Sequence, residues 1–409
     1  MTSLGIGFYY SRKVKSFQEY AIGSHAVSTR TLTASIMATC YGGASLSLGI
    51  ENTYQSGLYF GLALVFGSFF ALLIGKIFVP RMQSFMVHMS LAETMNEWYG
   101  AKARLVTALF GLLRGIASLA LEFNVLSKLI SVFFDASGIW PTLIAAIVVI
   151  AYSSFGGIRA IVATDVLQCI TFGLFVPMLF LFLCYNITHP IQKLHALFTE
   201  EAKFNLVSIL RPNLQFVSLL FLIGSFMLPA LLPAQVQRIY MAKNVLQAKK
   251  AFSYATYIAL PLTILMVAIG ALLFAENPHL LPNEVLPYLK HQFGFPGFSA
   301  LFCIAVLALV MSTTDSDLHA ASVLAAHDVY HVLNLKKTKP LTLVRLASIF
   351  LGISSLALSF AADDLLLLTL FGYAIWKPAF TIPVWMALFG FRTRPAVLFL
   401  SMATGGYRT

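Results

Sequence analysis

The chain has 409 residues, of which 59% are apolar and only 11% charged, with a formal net charge of +11. Soluble globular domains carry about 25% charged residues, so this composition excludes a water-soluble fold and makes lipid the solvent. No GxxxxGK[ST], HExxH or GxSxG pattern occurs, which leaves ATP-driven transport and hydrolysis without their machinery and predicts a protein that is not an enzyme.

In chain order, apolar runs and breakers predict about ten membrane spans. They fall near 30–50, 57–79, 105–134, 138–154, 165–187, 214–236, 251–275, 297–323, 341–361 and 365–391. Two partial runs, Leu4–Tyr10 and Pro395–Ala403, are too short to cross about 30 Å of hydrocarbon at about 1.5 Å per residue. Both are expected to be parts of further spans cut short at the chain ends, and no cleavable signal peptide is visible at the start. The segment from Ser90 to Gly100 opens like a short capped helix. It is expected at the cytoplasmic interface, with Trp98 and Tyr99 at headgroup depth.

Basic residues set the orientation. The connections at 11–30, 76–104, 155–164, 237–250, 336–345 and 392–394 hold roughly nineteen of the 27 Lys and Arg. The intervening connections Glu51–Ser56, Asp135–Ser137 and Ala361–Asp364 hold none, and 188–213 and 276–296 only a few. By the positive-inside rule the basic set is cytoplasmic. The positive balance is therefore a topology signal and not a nucleic-acid footprint. The four cysteines (Cys40, Cys169, Cys184, Cys303) lie inside apolar runs without paired spacing, as free thiols would.

Five spans per half invert the second half relative to the first. This predicts an organisation of 1–29 (leading span and cytoplasmic linker), 30–187 (first repeat), 214–391 (second repeat) and 392–409 (start of a further span). The first span of each half is interrupted, by Gly42-Gly43 and Gly49 in one and by Gly224, Pro229 and Pro233 in the other. Breaks at matching positions of inverted halves point to a midplane binding site of a secondary transporter, although Gly and Pro are also simply common in membrane helices.

Four segments carry a family resemblance. They are Ser16–Gly23; Gly156–Ala160 with Ala163–Gln168; Pro233–Arg238 with Ala242-Lys243; and Met311–Ser316 with Ala321, Ser322 and Asp328. In this order and spacing they resemble signatures of the sodium:solute symporter family, which includes sodium/proline, pantothenate and glucose carriers. The resemblance implies an all-α, five-plus-five inverted-repeat carrier fold of the leucine-transporter kind, with broken first and sixth core helices. It implies symport of sodium with a small organic solute across the cytoplasmic (inner) membrane by alternating access.

The resemblance places a sodium site at the carbonyls of Ala38, Tyr41 and Leu309 and the hydroxyls of Ser312 and Thr313. Uncharged oxygens suit a weakly held hard cation; the same hydroxyls could instead back-bond within their helix. It gives Asp165 a place on the inward sodium exit, where the carboxylate could equally be a helix N-cap. Arg159, Gln168 and Arg238 are expected to anchor cytoplasmic ends. The solute would meet Cys40, Gly42, Gly43, Ser225, Phe226 and Pro229. Cys40 stands where related carriers tend to have Asp or Asn, and Gly42 where they have Ser, so solute identity does not carry over.

Ionisable residues inside spans are functional candidates by default. Arg114 and Glu122, eight residues apart on one helix face, and Lys377 in mid-span are read first as charge pairing or snorkelling between packed helices. A second function class is open. Some family members carry the carrier body before a histidine kinase, so a sensor with a further C-terminal signalling module is the alternative, and an inactive truncated remnant a third. Lipid is the one partner composition demands, and oligomeric state leaves no trace in the sequence.

Overall fold

The computed structural model describes residues 2–134, 139–227, 231–281, 284–294, 297–332, 339–361, 372, 376–392 and 394–395. Among these, every regular element is helical. The chain runs through α1 (Thr2–Ser11), α2 (Phe17–Ile22), α3 (Thr29–Cys40), α4 (Gly43–Ser56), α5 (Leu58–Phe78) and α6 (Leu91–Tyr99). It continues through α7 (Ala101–Phe134), α8 (Trp140–Asn186), α9 (Pro190–Glu200), α10 (Leu206–Leu210), α11 (Leu214–Met227) and α12 (Pro233–Tyr240). The remainder holds α13 (Val245–Glu276), α14 (Val285–Phe293), α15 (Phe298–Val323), α16 (Tyr330–Val332), α17 (Pro340–Ala361) and α18 (Ile382–Leu388).

Six of the described helices are long and apolar enough to cross a membrane. One of them, α8, has 47 residues, about 70 Å at 1.5 Å per residue, more than twice the hydrocarbon thickness. Its two arms meet at Gly157, whose positive φ with extended ψ (φ 62°, ψ −171°) is open essentially to glycine alone. A side chain there would be strained, and its Cβ would lie 3.2 Å from the backbone of Tyr20. The fourth and fifth expected spans are thus joined at one glycine. Large apolar side chains such as Leu174, Leu181, Phe221 and Phe350 face outward along these helices, as a lipid-facing surface requires.

α15 lies inside the bundle, with Ser312, Thr314, Asp315, Ser316, His319 and Ser322 all fully buried. So many polar groups can sit there only because they bond to one another and to neighbouring helices. Ion pairs lace this interior. Arg104 on α7 reaches Asp328 at 2.7 Å, just past α15, Arg114 reaches Asp317 at 3.0 Å, and Arg238 on α12 reaches Asp165 at 3.3 Å. All six side chains are buried. Each pair joins a residue before Asn186 to one after Leu214.

Arg114 meets Asp317 on α15, the charge pairing between packed helices that was expected of it. Trp98 and Tyr99 both pack against protein. Tyr99 is buried, and Trp98 packs edge-on against Phe85. The helix carrying them, α6, is capped as the sequence indicates: Ser90 Oγ accepts from the Glu93 N–H at 3.0 Å, and Glu93 Oε2 accepts from the Met89 N–H at 2.8 Å.

Candidate functional site

The first break forms because two residues leave the helical track. Tyr41 is extended (φ −117°, ψ 99°), and so is Gly42 (φ −96°, ψ 178°). In an unbroken helix the Gly42 N–H would bond the Ala38 carbonyl; it donates instead to Ser45 Oγ at 3.3 Å. The Ser45 N–H turns to the Gly42 carbonyl at 3.1 Å, where an intact helix would give it to Tyr41. The carbonyls of Ala38 and Tyr41 therefore lose their helical donors. The Tyr41 ring is anchored on α13, its hydroxyl 2.6 Å from Thr263 Oγ1.

α15 runs antiparallel past this break. Thr39 Oγ1 lies 3.4 Å from Ser316 Oγ. One turn on, a Cβ added to Gly42 would stand 2.5 Å from Thr313 Oγ1 and 2.5 Å from Glu122 Oε1 of α7. Gly42 is thus the one residue type that fits, and it brings the break, Thr313 and Glu122 together. Ser312 and Thr313 both donate to the Leu309 carbonyl, at 2.7 and 3.4 Å. A hydroxyl that donates its proton keeps its lone pairs, so back-bonding and cation binding are compatible in this geometry.

The second break lies between α11 and α12. Pro229 falls outside the described residues; Leu231 is left-handed (φ 45°), and Pro233 opens α12. The Leu232 N–H donates to Gln235 Oε1 at 3.4 Å, and Gln235 Nε2 reaches Cys40 Sγ at 3.8 Å, so one glutamine touches both breaks. The Ser225 carbonyl accepts from Lys377 Nζ at 2.6 Å. Lys377 is thus engaged near the end of α11, which replaces the snorkelling reading. Phe226 packs on α5, against Gly67 and edge-on to Phe60.

Below the first break lies a buried polar layer. Ser35 Oγ donates to Asp165 Oδ2, which also receives Arg238 Nη2; the same nitrogen bonds Ser316 Oγ. Asp315 Oδ2 accepts from the Tyr152 hydroxyl at 2.6 Å and from Thr164 Oγ1 at 3.4 Å. Asp165 is eight residues past the Gly157 bend and inside the helix, so the N-cap reading is overturned. Arg238 is likewise a member of this layer, 1% exposed, and more than a cytoplasmic anchor. Arg159 does anchor an end, its Nε donating to the Gly23 carbonyl at 3.2 Å.

Sequence reading missed the partners in this layer. The signal was present in Ser35 and Thr39, polar side chains one turn apart on α3 that face α8 and α15, but their partners are more than a hundred residues away. Past the end of α15, Glu93 Oε2 meets His327 Nε2 at 3.2 Å. Burial alone would raise the Glu93 carboxyl; the His327 bond and the Met89 N–H outweigh it and hold it down to about 2. Among the described residues no group of three or more His, Cys, Asp or Glu is arranged to hold a metal.

Known proteins resemble this chain in sequence and in fold. The chain is 21% identical over 359 residues to the sodium/sialic acid symporter NanT of Aliivibrio fischeri, covering 82% of this chain and 69% of that protein. It is 27% identical over 316 residues to the high-affinity choline transporter 1 of Torpedo marmorata, covering 72% of this chain and 53% of the transporter. The fold superposes on a sodium-coupled sialic acid symporter solved in a substrate-bound outward-open state, with TM-score 0.82, 18% identity and coverage of 99% and 94% of the two chains. It also matches the nucleobase-cation-symport-1 transporter Mhp1, at TM-score 0.57, 13% identity and coverage of 95% and 92%. These relatives are transporters and lend the histidine-kinase reading no support. The profile of the sodium:solute symporter family matches residues 20–405; the chain, a multi-pass integral membrane protein, belongs to that family of transporters and is not an enzyme.

Proposed function

We propose that the chain moves a small organic solute across the cytoplasmic membrane together with sodium, by alternating access between the halves 30–187 and 214–391. The observation that carries this reading is the meeting of Gly42, in the break between α3 and α4, with the Thr313 hydroxyl of α15. Sodium takes the carbonyls of Ala38, Tyr41 and Leu309 and the hydroxyls of Ser312 and Thr313, a neutral oxygen set for weak, reversible binding. The solute occupies the space between the breaks, bordered by Cys40, Gly42, Gly43 and Gln235, with Ser225, Phe226 and Pro229 on the α11 side.

Asp165 lies on the inward route. Sodium leaving the Ser312–Thr313 site toward the cytoplasm passes the layer of Thr39, Ser316, Asp165 and Ser35, which Arg238 holds closed. Uptake into proteoliposomes, with and without a sodium gradient, tests the coupling. The reading expects uptake to need sodium and the double substitution Ser312→Ala with Thr313→Ala to remove that need or the uptake itself. Accumulation indifferent to both would end it.

A further inference from the structure

Arg104, Arg114 and Arg238 each meet a carboxylate in the interior. Lys377 does not. Among the described residues its ammonium meets only the Ser225 carbonyl, at 2.6 Å. An ammonium has three N–H donors, so two are unused. A positive charge inside a membrane span is costly without a counter-charge and marks a functional site by default. The end of α11 supplies part of one, since a helix C-terminus carries roughly half a negative charge.

The position of Lys377 gives the remaining charge a use. Trp376 Cη2 and Pro233 Cγ, at the start of α12, both lie 3.7 Å from the point where a side chain on Gly111 of α7 would begin. Lys377 therefore spans the second break: its ammonium is on the last turn of α11, and the ring beside it is close to the start of α12. Gln235 and the Leu232 N–H, which meet in this break, are neutral. Glu122, beside Gly42, belongs to the first break and stands eleven residues, about 16 Å along α7, from Gly111. Lys377 also opens a turn of π-helix, Lys377–Thr381, an irregularity frequent at functional sites.

We propose that the Lys377 ammonium receives a carboxylate of the solute at the second break. The proposal rests on the carrier reading of the same site and deepens it to a substrate class. A carboxylate offers two oxygens to the two unused donors, and charge-assisted bonds gain strength in a low-dielectric interior. The Ser225 carbonyl holds the third donor, so the ammonium is already in place before the solute arrives. A solute whose only charge is a positive nitrogen would meet like charge there.

The test uses the full chain in detergent, with sialic acid and its methyl ester, lactate and lactamide, and choline as probes. Thermal stabilisation by sodium alone is measured first. Its absence in the wild type would overturn the carrier reading itself, a failure distinct from that of the charge proposal. With sodium present, sialic acid or lactate should stabilise the wild type, and its neutral analogue and choline should bind at least about 10-fold more weakly. Lys377→Met should weaken carboxylate binding by roughly 10–100-fold, the range of a charge-assisted bond, and abolish the preference for acid over neutral analogue. Lys377→Arg should restore part of both. A lysine that merely caps α11 would, on substitution, lower the melting temperature of the unliganded protein and leave that preference intact. Three results overturn the proposal: no stabilisation by either carboxylate, equal binding of acid and neutral analogue by the wild type, or an unchanged preference in Lys377→Met. The first two are read on the wild type alone, so they stand even where Lys377→Met fails to accumulate.

Discussion

A hydroxyl can lend its proton inward and its lone pairs outward, and Ser312 and Thr313 are placed to do both. They differ in surroundings, since Thr313 faces Gly42 across the break and Ser312 lies deeper, fully buried. Gly42→Ala is expected to cut sodium-dependent uptake by at least about 10-fold, because a methyl group 2.5 Å from both Thr313 Oγ1 and Glu122 Oε1 must displace them. Protein yield and thermal unfolding measured alongside separate this from misfolding. Asp165→Asn would leave Arg238 buried beside a neutral amide, and breaking a buried pair from one side costs about 3–5 kcal/mol. A clear drop in melting temperature in detergent should therefore accompany any loss of transport. The glycines of the break and the Ser312-Thr313 pair were legible in the sequence, because adjacency and helix-breaking are local. The partners of Asp165 were not: Ser35 lies 130 residues away and Arg238 lies 73, and periodicity carries no information about which helices face each other.

At the scale of single elements, α6 and α8 make separate predictions. Removing the cap with Ser90→Ala should destabilise α6 by about 1 kcal/mol, read as a small decrease in thermal stability with transport retained. Glu93 gives the same helix a pH signature. Its carboxyl lies near 2 in the folded protein against an ordinary 4.5, so the stabilisation it provides is complete above about 4.5 and fades as pH falls toward 2. The stability difference between wild type and Glu93→Gln, followed by thermal unfolding, should shrink over that window. A difference that grows with acid would contradict the assignment. In α8, Gly157→Ala places a Cβ on a positive-φ, extended backbone that only glycine adopts readily and pushes it toward Tyr20, which should cost at least about 1–3 kcal/mol. The Gly156-Gly157 pair marked this turn in the sequence. What it did not reveal is that the two helical arms abut at Gly157 with no loop between them, because the backbone conformation of one residue separates a kink from a loop.

Over the whole molecule, hydropathy carried the all-helical membrane architecture, since lipid demands a helix wherever backbone enters it. The interior pairing of charges was beyond its reach. Arg104–Asp328, Arg114–Asp317 and Arg238–Asp165 each take one residue from before Asn186 and one from after Leu214. That arrangement bears on how the protein is made. While the first half alone is in the membrane, Arg104, Arg114 and Asp165 have no counter-charge from these pairs. The half-made chain is then a poor membrane protein, in the state that cellular quality control recognises and removes. The two halves expressed as separate polypeptides should accumulate together and decay rapidly when either is made alone, as a pulse-chase experiment would show. Synthesis of the second half is then the step that rescues the first, and the buried ion pairs act as a check that the whole chain has been delivered.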